Sequence, residues 1–147
     1  TFTAPNGFPN VVHFFNANEG FCMGDPNGGY FEIYTTTDGG NNWIRVPQAN
    51  IAANLTGEFG ITDVYTNYGD STVYFGTNKG RIYNSTDRGM NLTVSSTPYT
   101  GFIGAITFRD ANFGIACEAD NATTSTDLIL TIYIPNFEQA PFALSIP

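Results

Sequence analysis

Few side chains in this 147-residue chain could do chemistry: one histidine, His13, four arginines, Arg45, Arg81, Arg88 and Arg109, and thirteen carboxylates. A glycosidase needs two carboxylates flanking the scissile bond, and Asp63, Asp70, Asp110, Glu118 and Asp120 stand in strands or loops able to approach one another. Asp70 and Asp110 each precede a connection rich in Gly, Asn or Ser, where an Asp side chain closes a turn by accepting backbone N–H bonds. Turn formation is therefore the reading adopted for most of these acids. His13 has no second histidine beside it and no nucleophile in a recognisable motif, so it supports neither a metal site nor a catalytic triad. It reads as a packed or hydrogen-bonded strand residue. The stretch Asp25-Pro26-Asn27-Gly28-Gly29 offers oxygens that suit Ca²⁺ but lacks the regular carboxylates and closing Glu of an EF-hand loop. It is read as a turn, and no metal or other cofactor is expected. Four Asn-x-Thr sequons, at Asn54, Asn84, Asn91 and Asn121, are candidate glycosylation sites wherever the compartment allows the modification.

Composition narrows the partners. The net charge of −8 arises because only five residues are basic. No cluster of Lys and Arg is available to displace counterions, which argues against nucleic acid and against anionic membrane surfaces. No apolar run approaches the length of a membrane span. Charged residues make up 12% of the chain, while Asn, Thr, Gly, Tyr and Phe abound. Such a mixture suits β-strands joined by Gly/Asn turns, because aromatic and β-branched side chains fill pleated faces. With lysine scarce, it points to an extracellular or surface protein.

The elements that position these groups announce themselves through a repeated turn. Thr36-Thr37-Asp38-Gly39-Gly40-Asn41-Asn42-Trp43 and Ser85-Thr86-Asp87-Arg88-Gly89-Met90-Asn91-Leu92 both read Ser/Thr-x-Asp-x-Gly-x-x-Trp/Leu. The hydroxyl and carboxylate can bond neighbouring backbone N–H groups, the Gly supplies a positive φ, and the large apolar residue opens the next strand and anchors the turn in the core. A longer pattern surrounds the turns. Phe14-Phe15-Asn16-Ala17-Asn18-Glu19-Gly20-Phe21-Cys22 returns as Phe108-Arg109-Asp110-Ala111-Asn112-Phe113-Gly114-Ile115-Ala116-Cys117. Val73 to Asn84 leads into the second turn much as Cys22 to Thr35 leads into the first. A third turn is vestigial at Ser125-Thr126-Asp127, where Leu128 and Ile129 replace the glycines. The Asp residues recur at intervals of about 49 and about 40 positions, the period of four-stranded propeller blades.

Strands are expected at Val11–Asn16, covered on both faces, then at Phe21–Gly24, Tyr30–Thr36 and Trp43–Val46, the last closed by Pro47. Gln48–Gly57 reads as a helical turn or a plain crossover. Further strands are Ile61–Thr66, Thr72–Gly76, Arg81–Ser85 and Leu92–Ser95, then Ile106–Phe108, Gly114–Glu118 and Leu128–Ile134. An extended tail follows. No helix of ordinary length is expected.

This turn and the pattern around it resemble the Asp-box, or BNR, repeat of sialidases and of the photosystem-assembly-factor type of β-propeller. The resemblance implies an all-β fold of antiparallel four-stranded β-propeller blades, in preference to a β-sandwich with coincident turns. Blade one would span about 9–48, blade two about 58–97, blade three about 101–134, and a tail 135–147 would pack onto a neighbour or begin another repeat. Rings of this kind usually close with six or more blades, so the chain is expected to be a fragment of a longer protein or one part of an assembly. Thr36, Asp38, Gly40, Trp43, Ser85, Asp87 and Gly89 would be structural. Inner strands line a central channel in such rings, which makes His13, its counterpart Thr107, and Arg109 candidate channel-facing residues. Cys22 and Cys117 would lie in separated blades, too far apart for a disulfide, and are expected as buried free thiols. A sialidase of this fold needs three arginines on a carboxylate, a Tyr nucleophile assisted by a Glu, and an acid/base Asp. Arg88 lies inside a box and Arg45 just after one, on the periphery in this family, so only Arg81 and Arg109 remain as candidate ligands and the trio is incomplete. The reading that follows is a non-catalytic extracellular structural or binding module. Its partners would be other segments of the same polypeptide, copies of itself, or a protein or glycan. The alternatives are a fragment of a sialidase-like glycoside hydrolase, whose catalytic residues lie elsewhere, and an assembly factor.

Overall fold

A computed structural model describes residues 8–68, 71–97, 99–110, 113–118 and 130–133. Three antiparallel sheets follow one another along the chain. The first holds β1 (Pro9–Phe14), β2 (Gly20–Asn27), β3 (Tyr30–Thr36) and β4 (Ile44–Arg45) in sequence order. The second repeats that order with β5 (Gly60–Tyr68), β6 (Thr72–Thr77), β7 (Arg81–Ser85) and β8 (Thr93–Ser96). The third contains β9 (Ile103–Asp110), β10 (Phe113–Glu118) and β11 (Leu130–Tyr133) among the described residues. Each sheet is a meander in which every strand pairs with the next. The connector after the first sheet contains a single 3-10 turn, Gln48–Asn50, started by Pro47 at φ −58°.

Local chemistry shifts some boundaries. Asp25 and Pro26, expected in a loop, belong to β2, and the turn itself is Gly28-Gly29 with φ of 69° and 91°. Two consecutive left-handed residues match the right-handed twist of a tight hairpin. A register shift between Gly24 and Pro26 lets a proline, which has no N–H to donate, sit within the strand. The expected tail 135–147 and the vestigial turn at Ser125–Asp127 lie outside the described residues.

The sheets stack face to face, with β5 lying beside both β1 and β9. We call the face of each sheet that meets the preceding sheet its trailing face, and the opposite one its leading face. Successive side chains of a strand point to opposite faces. Val73, Phe75 and Tyr83 accordingly pack onto Val11, Phe21, Met23, Phe31 and Ile33 of the first sheet. Tyr74 and Ile82 turn the other way, onto Ile103, Ile106, Phe108 and Ala116 of the third. All six residues of β6 are buried as a result, the pattern of a strand covered on both sides. Phe75 lies parallel to Tyr83 at 5.1 Å, and Phe31 of the first sheet meets both edge-on at 5.1 and 4.8 Å.

β1 departs from expectation. Val11 is 7% exposed, but Val12 and Phe14 are 59% and 42% exposed. Among the described residues no sheet covers this trailing face, so the strand is buried on one side only.

The recurring Phe and Gly now have a physical meaning. Phe14 pairs with Gly20 and Phe108 with Gly114 across neighbouring strands. A Cβ at Gly20 would lie 3.0 Å from the Phe14 ring, and one at Gly114 2.5 Å from the Phe108 ring. Each aromatic ring lies over a glycine, and a larger residue would push it away.

Candidate functional site

The two repeated turns have the same hydrogen-bond pattern. Thr36 Oγ1 accepts from the N–H groups of Asp38 (3.3 Å) and Gly40 (3.0 Å) while donating to Asp38 Oδ1 at 2.9 Å. Ser85 Oγ accepts from Asp87 (3.3 Å) and Gly89 (2.8 Å) and donates to Asp87 Oδ1 at 2.8 Å. The carboxylates then reach forward. Asp38 takes the backbone N–H and side-chain amide of Asn42 at 2.8 and 2.6 Å, and Asp87 takes those of Asn91 at 2.9 and 2.7 Å. Position four of each motif is left-handed, Gly39 at 71° and Arg88 at 62°, as is the glycine at position five, Gly40 at 83° and Gly89 at 88°. That left-handed residue donates its N–H to the inner hairpin of its own sheet, Gly39 to Asn18 and Arg88 to Ser71, both at 2.8 Å. The turn therefore clips the outer hairpin to the inner one.

These bonds act on the charged form. Hydrogen bonds from Asn42 hold the Asp38 carboxyl below its ordinary pKa. Burial opposes ionisation of Asp87, but the bonds from Asn91 and Ser85 outweigh it, and its pKa too is lowered. Asn42 and Asn91 were not singled out as members of the turn, although the same residue type at the same place in both copies was the available signal.

The apolar residue closing each motif behaves differently in the two copies. Leu92 is 3% exposed and enters the core between the first two sheets. Trp43, expected to be buried likewise, is half-buried and packs edge-on against Phe14 at 5.8 Å. It lies on the trailing side of the first sheet, which no described sheet covers.

Three of the four arginines are bound to glutamates. Arg81, expected as a candidate substrate ligand, is 9% exposed and donates to Glu58 at 2.8 Å, with a second bond to the Ala53 carbonyl at 3.1 Å. Glu58 also accepts from Thr77 Oγ1 and the Leu55 N–H, both at 2.8 Å. Arg81 thus anchors the connector between the first two sheets. Arg45 grips Glu32 through two bonds of 2.9 and 2.7 Å, and Tyr34 donates to the same carboxylate at 2.8 Å. The Arg45 guanidinium holds Glu32 below the ordinary carboxylate range. Arg88 pairs with Glu19, tying the second turn to the β1–β2 turn of the first sheet, with its guanidinium 5.9 Å from the Phe15 ring. Nothing local in the sequence marks these partners, since they are 13 to 69 positions apart.

His13 lies on β1 on the leading side, edge-on to Phe15 at 4.8 Å, and burial lowers its pKa. Thr107 and Arg109 are exposed on β9, on the leading side of the third sheet. Cys22 and Cys117 are free thiols, half-buried and not fully buried as expected, and burial raises the Cys22 pKa. Asp25, weighed as an oxygen donor for Ca²⁺, accepts from Asn10 Nδ2 at 2.7 Å and from the Gly60 N–H at 3.2 Å, joining the first two sheets. Among the sequons, Asn91 is exposed, and Asn54 and Asn84 are half-buried. Asn84 accepts from Thr93 at 2.6 Å. Asn121, Asp70 and Asp120 lie outside the described residues, as do the side chains of Asp63, Asp110 and Glu118.

Three meander sheets stacked face to face, with their first strands side by side, form an arc of a β-propeller. Over 89% of its length the chain matches the solved structure of YCF48, a β-propeller, bound to a D1 peptide, with a TM-score of 0.56 and 22% sequence identity. It spans 37% of that structure's chain. At this identity the likeness is one of fold. No protein-family model matches the chain, and no curated protein does.

Proposed function

We propose that the chain is a non-catalytic structural or binding module built from Asp-box propeller blades, acting outside the cell or on its surface as part of a larger protein or assembly. The observation that carries this reading is where the charged groups are used. Arg45, Arg81 and Arg88 are paired with Glu32, Glu58 and Glu19, and Asp38 and Asp87 are bound within their own turns. Arg81, one of the two arginines left as candidate ligands for a sugar carboxylate, here holds Glu58. The peptide bound to the propeller of similar fold supports a protein segment as the ligand class, with a glycan as the second candidate. The duplicated turn geometry supports the Asp-box assignment.

Screening the protein against fluorogenic sialosides and other glycosides tests this reading. No turnover is expected, and turnover that survives purification to homogeneity would overturn it in favour of the glycoside hydrolase.

A further inference from the structure

Among the described residues an Asn or Asp stands directly before a glycine twice, at Asn27-Gly28 and at Asp38-Gly39. Such a pair is predisposed to close a five-membered ring, in which the glycine nitrogen bonds the preceding side chain's Cγ with no Cβ in the way. The fold treats the two pairs oppositely. At Asp38-Gly39 the glycine N–H is taken by the Asn18 carbonyl at 2.8 Å, and the carboxylate is held by Asn42 and Thr36. Neither group is free to move onto the other. The second-sheet hairpin that corresponds to β2–β3 protects its asparagine as well. Asn78 is 9% exposed, with its side chain bonded to the Phe59 N–H at 2.8 Å and the Gly57 carbonyl at 3.0 Å. The N–H that follows it, from Lys79, is held by Thr77 Oγ1 at 3.2 Å.

Asn27-Gly28 has none of these restraints. Asn27, Gly28 and Gly29 are all exposed, and among the described residues no acceptor holds the Gly28 N–H. A Cβ at Gly28 would meet only Gln48 Nε2, at 3.5 Å. Asn27 ends the ladder opposite Tyr30, and Pro26 before it, at a register shift, has no N–H to donate. The tip of this hairpin is lightly held and open to water.

We propose that Asn27 is a site of spontaneous deamidation. The Gly28 nitrogen bonds to Asn27 Cγ, the Cγ–Nδ2 bond breaks, and the side-chain nitrogen leaves as ammonia with the proton from the Gly28 N–H. Water then opens the cyclic imide at either carbonyl, giving aspartate or isoaspartate at position 27. Nothing is oxidised or reduced. The product acts on its surroundings. The Asn27 amide is among the groups that hold Glu32 ionised, so a carboxylate in its place sets like charge against a side chain that is 3% exposed. Isoaspartate also adds a methylene to the backbone beside a two-residue turn, which breaks the pairing with Tyr30 and displaces Gly29, whose carbonyl takes the Asn54 N–H of the connector at 3.1 Å. Deamidation thus loosens the β2–β3 hairpin from the connector as the molecule ages.

Incubating the folded protein at mildly alkaline pH, where more of the amide nitrogen is deprotonated, and then cleaving it after glutamate tests this. The fragment 20–32 has Asn27 as its sole asparagine, which separates it from the pair Asn6-Gly7, outside the described residues. This fragment should gain one mass unit and split chromatographically into aspartate and isoaspartate forms. Asn27→Gln should show neither change and should lose less of its melting temperature during the incubation than the wild type does. Asp38-Gly39, in fragment 33–58, should form isoaspartate only when the incubation is in urea. A fragment 20–32 that stays unconverted in the folded protein, with or without conversion in urea, would overturn the inference, because the hairpin would then protect Asn27 as the other turns protect Asp38 and Asn78.

Discussion

Ser85 places one hydroxyl among three partners. It is 1% exposed, accepts from two backbone N–H groups and donates to Asp87. Ser85→Ala leaves the buried Gly89 N–H without its acceptor, and such a loss costs about 1–3 kcal/mol. Chemical denaturation should show a lower midpoint with an unchanged slope. The carboxylates add a pH dependence whose sign is fixed. Asp38, Asp87, Glu19 and Glu32 all have folded pKa values below their ordinary ones. Their stabilisation is complete above the unfolded-state values, about pH 4, and is lost as pH falls through the lowered folded values. Melting temperature should therefore drop steeply on the acid side of pH 4, and Asp38→Ala and Asp87→Ala should each lower the melt at neutral pH. At this scale the Thr/Ser, Asp and Gly of the turn were legible because each does its work within four residues. The arginine partners were not, because an ion pair between residues 23 positions apart leaves no trace in local spacing.

Turns become elements where they dock, and the two glycines separate the effects. Both Gly40 and Gly89 are left-handed, so alanine is strained at either. A Cβ at Gly89 would also sit 2.3 Å from the Phe21 ring of the neighbouring sheet, whereas at Gly40 the nearest atom, Phe14 Cζ, is 3.3 Å away. Gly89→Ala should thus destabilise more than Gly40→Ala in parallel thermal melts, the excess measuring the inter-sheet contact. The connector gives a second test. Removing one partner of a buried ion pair costs about 3–5 kcal/mol, whereas replacing both by apolar residues can be nearly neutral. Glu58→Leu alone should be strongly destabilising and should lose much of that cost when combined with Arg81→Met, as a double-mutant cycle would show. The strands were largely legible as elements, since aromatic and β-branched runs between Gly/Asn turns have few other uses. The exceptions have physical causes: β2 runs on through Pro26 because a bulge accommodates it, and β4 keeps only Ile44 and Arg45 in register.

At the scale of the whole molecule, the described residues form three sheets with the middle one enclosed. The sequence period suggested blades, but it could not say which faces are covered, because burial of Val12 or Phe14 depends on the presence of a neighbouring sheet and not on residue type. β6 looks in two directions, with Phe75 toward the first sheet and Tyr74 toward the third. Nuclear Overhauser contacts between assigned aromatic rings measure this directly. Contacts from Phe75 to Phe31 and from Tyr74 to Phe108 are expected, in one folded species. Tyr74 and Phe75 sharing partners from a single neighbouring sheet, or contacts between Phe31 and Phe108 directly, would contradict the stacked propeller arc.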